Sequence, residues 1–437
     1  MTLHFSGSPI ISAMDPNQPF AGVRVVEFGQ FVSAPFCGQL LAEGGAEVIK
    51  VEPLTGDPAR QLRQIVPGET RIFLSRNRGK RSLPLAIRQP GARAVIDRLI
   101  ERADVALMNF RPGLAEQLGL DAPTLTRRFK RLIVGSVTGF GTEGPEASFA
   151  AMDPVVQART GLMAANGRLN EGRPTSGDPV VADYMCAMSL AFGVSAALLR
   201  RERTGVGGSV DVSLMQAAMT LANNQLIRSE DEDAPRHEKT LGDLAGMRRD
   251  GVRYADQSAM MTSARTAPML MIYLRTYDTA DAPIAIACGS HSLRRKFLTV
   301  LDIEDPLLDK PESEGHRDHY DQLKGNVEAI IRGKPASHWI TRLNEAGIPV
   351  SPVKFPVELF DDPQAHANGM FHRLRHPEAG DFTVLSPPVA LDGDGFRSRE
   401  PTASFASETR TILHELDFTD AEIDEFVATK VTRESTV

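Results

Sequence analysis

The chain has 437 residues, 42% of them hydrophobic and 24% charged, which is long and apolar enough for two or three domains with substantial cores and excludes general disorder. A formal net charge of −7 and a pI near 5.9 exclude the basic footprint of a nucleic-acid binder. Cys37, Cys186 and Cys288 are odd in number and far apart, which argues against a disulfide framework or a thiolate metal site and fits a reducing cytoplasm.

The first twenty residues, MTLHFSGSPIISAMDPNQPF, have neither a basic segment nor a sustained apolar stretch and read as a loose arm over 1–20. From Val23 onward, strand patterns alternate with helical ones. VRVVEF is followed by a helix over 37–42, then EVIKVE, RSLPLAI, a helix over 91–102, VALMNF and LIVGSV. This predicts an α/β protein with a large Rossmann-like open-sheet domain over 21–228. Parallel strands with crossover helices put ligands at the carboxyl ends of the strands, so the loops after Phe28, Glu52, Phe110 and Val137 become candidate binding loops.

A dinucleotide is the first ligand to weigh, because Glu52 ends the second strand where a ribose-binding acid would stand. The glycines disagree. The run from Gly29 to Gly38, GQFVSAPFCG, is not G-x-G-x-x-G, and Phe31 and Pro35 leave no glycine-lined approach for a pyrophosphate.

Farther along, 184–203 has the residue choice of a largely buried helix, rich in Ala, Leu and Met, with Gly193 as its one weak former. Asp183 stands where an N-cap is expected, and a cap is the simplest reading of an Asp before an apolar helix. Arg200, Arg201 and Arg203 load the last turn, Gly205 can end the helix in the left-handed conformation, and Val210, Val212 and Leu214 alternate like a strand. The apolar run over 185–199, bracketed by Asp183 and Arg200, is too short to span a bilayer, so no membrane role is expected.

After a predicted helix over 215–228, polarity rises through SEDEDAPRHEK, and 229–266 reads as a linker or exposed crossover. A smaller α+β domain is expected over 267–355: paired strands in MLMIYLRTYDTADAPIAIAC, a helix over 293–301, and two helical stretches between His316 and Ala346. His316 and His319 have a spacing a metal could use, but Glu, Arg and Asp around them read as a solvated helix entry, and no metal is expected. A strand over 382–388 and a helical region over 407–428 fall in a segment, 356–437, expected to complete the large domain.

One ordered set of motifs ties these pieces together. The stretch AGVRVVEFGQFVSAPFCGQLLAEGGAEVIKVEPLTGDPAR ends in Gly56, Asp57 and Arg60. It is followed by Asn77 to Ser82 (NRGKRS), Asn109 to Gly113 (NFRPG) with Leu118, Thr138 to Pro145 (TGFGTEGP), Met152 to Gly161, and Thr204-Gly205-x-Gly207 with Val210-Asp211-Val212-Ser213. Gly347-Ile-Pro-Val-Ser-Pro-Val353 and Glu358-Leu-Phe-Asp-Asp-Pro-Gln364 come later. In this order they resemble the class III CoA-transferases over about residues 20–425. Two departures are visible: Gly208 replaces the usual Gln of T-G-x-G-Q, and Phe405 to Thr409 (FASET) replaces L-G-E-H-T.

The resemblance implies that Asp183 is a nucleophile, and that the acyl-CoA donor and a small carboxylic acid are the partners. It implies no permanently bound cofactor, coenzyme A thioester serving as substrate. It assigns the CoA-binding loops to Gln30, Phe31, Arg60, Lys80, Arg81, Asn109, Phe110, Arg111 and Leu118. Cations and donors there suit a 3′-phosphate and diphosphate, although each basic residue alone is as easily a solvated surface charge. Gly139 and Gly141 are candidate backbone donors for oxyanions, and Asp153 is an acidic neighbour that is otherwise a turn residue before Pro154. Related α-methylacyl-CoA racemases carry a proton-transferring His where Met152 stands. Met152 cannot hold a proton, so racemisation is disfavoured; a racemase or isomerase of the same fold and a non-catalytic CoA-binding protein remain as alternatives. Members are interlocked homodimers, which the resemblance extends to this chain.

Overall fold

The β-branched runs of the first half become six short strands, β1 (Arg24–Glu27), β2 (Glu47–Glu52), β3 (Lys80–Pro84), β4 (Val105–Met108), β5 (Ile133–Thr138) and β6 (Gly208–Ser213). They form one fully parallel sheet in the order β6-β5-β4-β1-β2-β3. This is a doubly wound arrangement, whose strand order reverses between β1 and β4. The computed structural model describes residues 17–265, 269–310 and 316–435. The expected arm therefore lies almost wholly outside the described residues.

Alternation along the strands covers both faces. Val26, Ala106 and Val134 enter one core with α2 (Ala92–Arg102), whose Val95, Ile96 and Leu99 face the sheet, and with Ile412, Leu413 and Ile423 of the C-terminal helices Thr409–Glu415 and Asp420–Ala428. Val25, Val105, Leu107 and Ile133 enter the opposite core with α1 (Ser33–Glu43), α4 (Val181–Thr204) and α5 (Leu214–Leu221). A further helix on this side, α3 (Asp153–Arg159), buries Val156 and Gln157.

At 24 residues, α4 is long and apolar enough to cross a membrane by length and composition alone. In this fold Cys186, Leu190 and Val194 pack it on the sheet. Gly193 is explained by that packing, since a Cβ there would lie 2.5 Å from Val210 Cγ1 of β6. Gly205 ends the helix at φ 73°, as its glycine character predicts. The helix after β6 stops at Leu221, short of the expected 228, where Asn223 and Asn224 begin a single 3-10 turn over Asn223–Gln225.

Contacts divide the chain into two units, one of residues 1–237 with 367–437 and the other of residues 238–366. In the second, the strands Leu274–Asp278, Pro283–Ala287 and Val350–Pro352 form an antiparallel sheet. Against it pack Phe297, Tyr320, Val327, Trp339 and Leu343 of the helices His291–Leu301, Arg317–Arg332 and Ala336–Glu345. The polar stretch expected as a linker or exposed crossover is helical over Ala234–Arg249 and Tyr254–Arg265. Its Glu, Lys, Leu, Ala and Arg residues favour a helix although no side chain of Ala234–Arg249 is buried.

Candidate functional site

The strand-order reversal places the loop after β1 beside the loop after β4. Asn109, just past β4, clamps the first loop: its Oδ1 accepts from Gln30 N at 2.9 Å and its Nδ2 donates to Gln30 O at 2.8 Å. The next residue, Phe31, has φ 64°, a left-handed conformation that bulky residues seldom adopt and that clusters at ligand sites. Two residues later α1 begins at Ser33, which is 2% exposed.

Asp183 lies across from that start. It is the third residue of α4, whose N-cap is Val180 without a side-chain cap bond, so the expected capping role is not the one it has. The cap comes from another helix. Asp153, 2% exposed at the start of α3, accepts the Asp183 N–H on Oδ2 at 3.0 Å, while its Oδ1 takes the Gln157 amide at 2.5 Å. The Asp183 side chain is thereby released from the helix end and comes near enough to the Ser33 hydroxyl for that group to favour its charged form.

Burial, and then the like charge of Asp153, push the Asp183 carboxyl up to about 6 from the ordinary 3.8, against the Ser33 hydroxyl and the charge of Arg76. Arg76 is also tied to the next residue: its Nε donates to Tyr184 Oη at 3.1 Å and its guanidinium lies 5.4 Å from the Tyr184 ring centroid. Phe36 of α1 meets that ring edge-on, with centroids 5.0 Å apart. A half-buried carboxylate thus faces a hydroxyl, a guanidinium and an aromatic wall, a setting suited to a nucleophilic carboxylate.

The other sequence candidates separate into two groups. Gln30, Phe31, Asn109 and Phe110 gather at the reversal point, with Phe110 packed 5.9 Å from Phe28. Arg111 is exposed and Leu118, in the short helix Leu114–Leu118, is half-buried. Arg60, Lys80 and Arg81 are committed elsewhere. Arg60, 3% exposed, donates to Glu52 at 2.8 Å and to Ala403 O at 3.1 Å, pairs with Glu69, and lies 3.6 Å from the Phe73 ring centroid. Lys80 donates to Glu27 at 2.7 Å, Pro35 O at 2.6 Å and Asn77 at 2.8 Å, and burial holds its ammonium down to about 8. Arg81 is met by Glu47, Glu408 and Glu415. A phosphate would have to compete with carboxylates already in place, buried ones at Arg60 and Lys80 and partly exposed ones at Arg81. Glu52, weighed as a ribose acid, is consumed by Arg60, by Ser82 at 2.7 Å and by Asp57 N at 3.0 Å.

The two glycine candidates have different surroundings. Gly139 packs on the approach to Asp153, since a Cβ there would lie 2.3 Å from Ala151 Cβ. The Gly141 N–H already donates to Thr138 Oγ1 at 3.2 Å. Gly141 lines a separate cleft of about 340 Å³ with Thr138, Ser189, Asp211 and Ser213. Met152 is 56% exposed at the N-cap of α3, immediately before the buried Asp153. In the second unit His319 Nε2 lies 2.9 Å from Asp305 Oδ1. Ala406, where L-G-E-H-T has its glycine, keeps a left-handed φ of 65° without being one.

Sequence reasoning missed Ser33, Arg76 and Tyr184. Tyr184 was adjacent to the candidate Asp, but no spacing links residues 33, 76, 153 and 183, which only the winding of the sheet brings together.

Comparison with known proteins bears on this geometry. The model of CoA-transferase family III matches residues 20–404. An acetyl-CoA:oxalate CoA-transferase of Acetobacter aceti is 30% identical over 383 residues, covering 86% of this chain and 90% of the relative. A probable fatty acyl-CoA transferase, Rv3272 of Mycobacterium tuberculosis, is 33% identical over 339 residues, covering 76% and 82%. The crystal structure of an Asp-to-Ala variant of Rv3272 superposes with a TM-score of 0.74 at 28% identity, covering 91% of this chain and 99% of that one. A CaiB/BaiF family protein from Brucella suis gives a TM-score of 0.70 at 26% identity, covering 92% and 100%.

Proposed function

The chain belongs to CoA-transferase family III, and from that premise we propose that it moves coenzyme A from an acyl-CoA donor to a carboxylic acid with Asp183 as the covalent nucleophile. The observation that carries this reading is the Asp183 carboxylate, uncoupled from its helix end by Asp153 and turned toward Ser33 and Arg76.

The ionised carboxylate attacks the thioester carbonyl of the donor, the C–S bond breaks, and an aspartyl acyl anhydride and CoA thiolate form. The thiolate then attacks the aspartyl carbonyl, releasing the donor acid and leaving an aspartyl-CoA thioester. The acceptor carboxylate reverses the two steps. The N-terminal end of α4 favours the anionic form, and the Ser33 hydroxyl is placed to donate to an oxygen of Asp183 throughout. Gln30, Phe31, Asn109, Phe110, Arg111 and Leu118 are the surface on which the CoA moiety lies in this reading, with Arg111 as its exposed cation. Met152 offers no proton-transferring group on the Asp153 side, which supports transfer over racemisation.

The protein works as a homodimer in this account. Met188, Phe192 and Leu199 present an apolar stripe on the outer side of α4, with Phe192 79% exposed, and such a stripe fits an interface. The test of the function is transfer itself. CoA should pass from acetyl-CoA or succinyl-CoA to an added carboxylate with the wild type and not with Asp183→Ala, while the variant still binds acyl-CoA. Full transfer by the alanine variant would end the proposal.

A further inference from the structure

Arg76 stands outside the family motifs and is engaged on one side only. Its Nε is fixed by Tyr184 Oη at 3.1 Å, and its guanidinium lies 5.4 Å from the centroid of that ring, which Phe36 meets edge-on. Among the described residues no hydrogen bond or ion pair is made by its two terminal nitrogens, whereas Arg60, Arg78 and Arg81 are each met by carboxylates. Its neighbour along α4 from Tyr184 is Asp183, whose negative charge it offsets in the resting protein.

Charge balance along the reaction gives this arrangement a consequence, which rests on Asp183 being the nucleophile. While Asp183 is an anion, Arg76 has a counter-charge. Once Asp183 carries CoA as a thioester it is neutral, and the half-buried guanidinium has lost that partner. The next reactant is a carboxylate that must approach the Asp183 carbonyl. We propose that Arg76 is the residue that binds the carboxylate of the acceptor acid when Asp183 is charged with CoA, its terminal nitrogens holding the anion for attack.

In that step a carboxylate oxygen bonds to the aspartyl carbonyl carbon, the C–S bond breaks, CoA leaves as the thiolate, and no proton or electron is exchanged. The thiolate then attacks the acyl carbonyl of the anhydride, and Asp183 returns as the anion facing Arg76. The same residue thus favours the acid's arrival and its conversion into neutral thioester. A planar guanidinium offers a carboxylate two parallel donors, which an ammonium does not.

The experiment separates the half-reactions. Wild type, Arg76→Gln and Arg76→Lys are loaded with acetyl-CoA or succinyl-CoA and freed of small molecules, and discharge of the enzyme thioester is followed by mass spectrometry. The discharging agents are the donor's own acid, which microscopic reversibility makes a competent acceptor, and hydroxylamine, a neutral nucleophile. Expected for Arg76→Gln is a rise of roughly ten- to a hundredfold in the acid concentration for half-maximal discharge, with the hydroxylamine rate changed far less than the rate with acid. Arg76→Lys should recover part of the loss. Equal acid dependence in wild type and Arg76→Gln overturns the role of Arg76 and leaves the transferase reading standing, as does equal slowing with acid and hydroxylamine. Failure of the wild type to load from either donor contradicts the transferase reading itself, and the role of Arg76 with it.

Discussion

Two neighbouring acids, Asp183 and the Asp153 that accepts its backbone N–H, decide the chemistry at the residue scale. Because burial and Asp153 raise the Asp183 pKa to about 6, kcat/KM should fall as pH drops through about 6 and the nucleophile becomes protonated. Asp153→Asn removes the like charge while keeping an oxygen for the Asp183 N–H, so the acid limb should move down by roughly one pH unit. An unmoved limb would show that Asp153 only caps α4. Stability has the opposite sign. The folded carboxyl binds its proton more tightly than the unfolded one, so its favourable contribution is present below about 4 and lost as pH rises through about 6. At pH 7.5 the ionised Asp183 therefore opposes folding, and Asp183→Asn should raise the unfolding free energy by up to about 3 kcal/mol, a gain that vanishes at pH 4 in urea titrations. A variant less stable than wild type at pH 7.5 would contradict this assignment.

At the scale of elements, ion pairs under the carboxyl edge of the sheet organise the loops that frame the site. Glu27, Glu52, Asp57 and Glu69 meet Lys50, Lys80 and Arg60 in buried pairs. That leaves one carboxylate in excess, and burial pushes Glu69 up to about 7, where a proton can neutralise it. Gly38 of α1 exists for this cluster, since a Cβ there would lie 2.0 Å from Glu27 Oε2. Arg60→Ala would strand Glu52 and Glu69 in the interior and should cost on the order of 3–5 kcal/mol in chemical unfolding; a cost under about 1 kcal/mol would mean the cluster hydrates freely. This cluster also marks where the sequence stopped being legible. The six strands could be read from alternation and apolar runs, and Asp183 from its place before an apolar helix and from motif order. Burial of a cation leaves no trace in spacing, however, so the carboxylates that meet Arg60 and Lys80 in the interior, and those more than three hundred residues away that meet the partly exposed Arg81, could not be read from the motifs. The helical form of the polar run after Arg228 was not legible either, because a helix that buries no side chain leaves no apolar stripe to read.

For the whole molecule, the account requires a partner to cover the apolar stripe of α4. Light scattering should report a dimer that persists on dilution to nanomolar concentration, and Phe192→Asp, which puts a charge into that stripe, should weaken or abolish it. A monomer that is folded and active at low concentration would remove the dimer from the account. The central claim, that CoA passes through Asp183, is tested most directly by the intact mass of the protein after brief incubation with an acyl-CoA donor at pH 7.5. The account predicts a species heavier by one CoA less one water, mapped to Asp183 by peptide fragmentation, discharged by an added carboxylate, and absent from Asp183→Ala. Turnover without that species, or its appearance on any other residue, would contradict it.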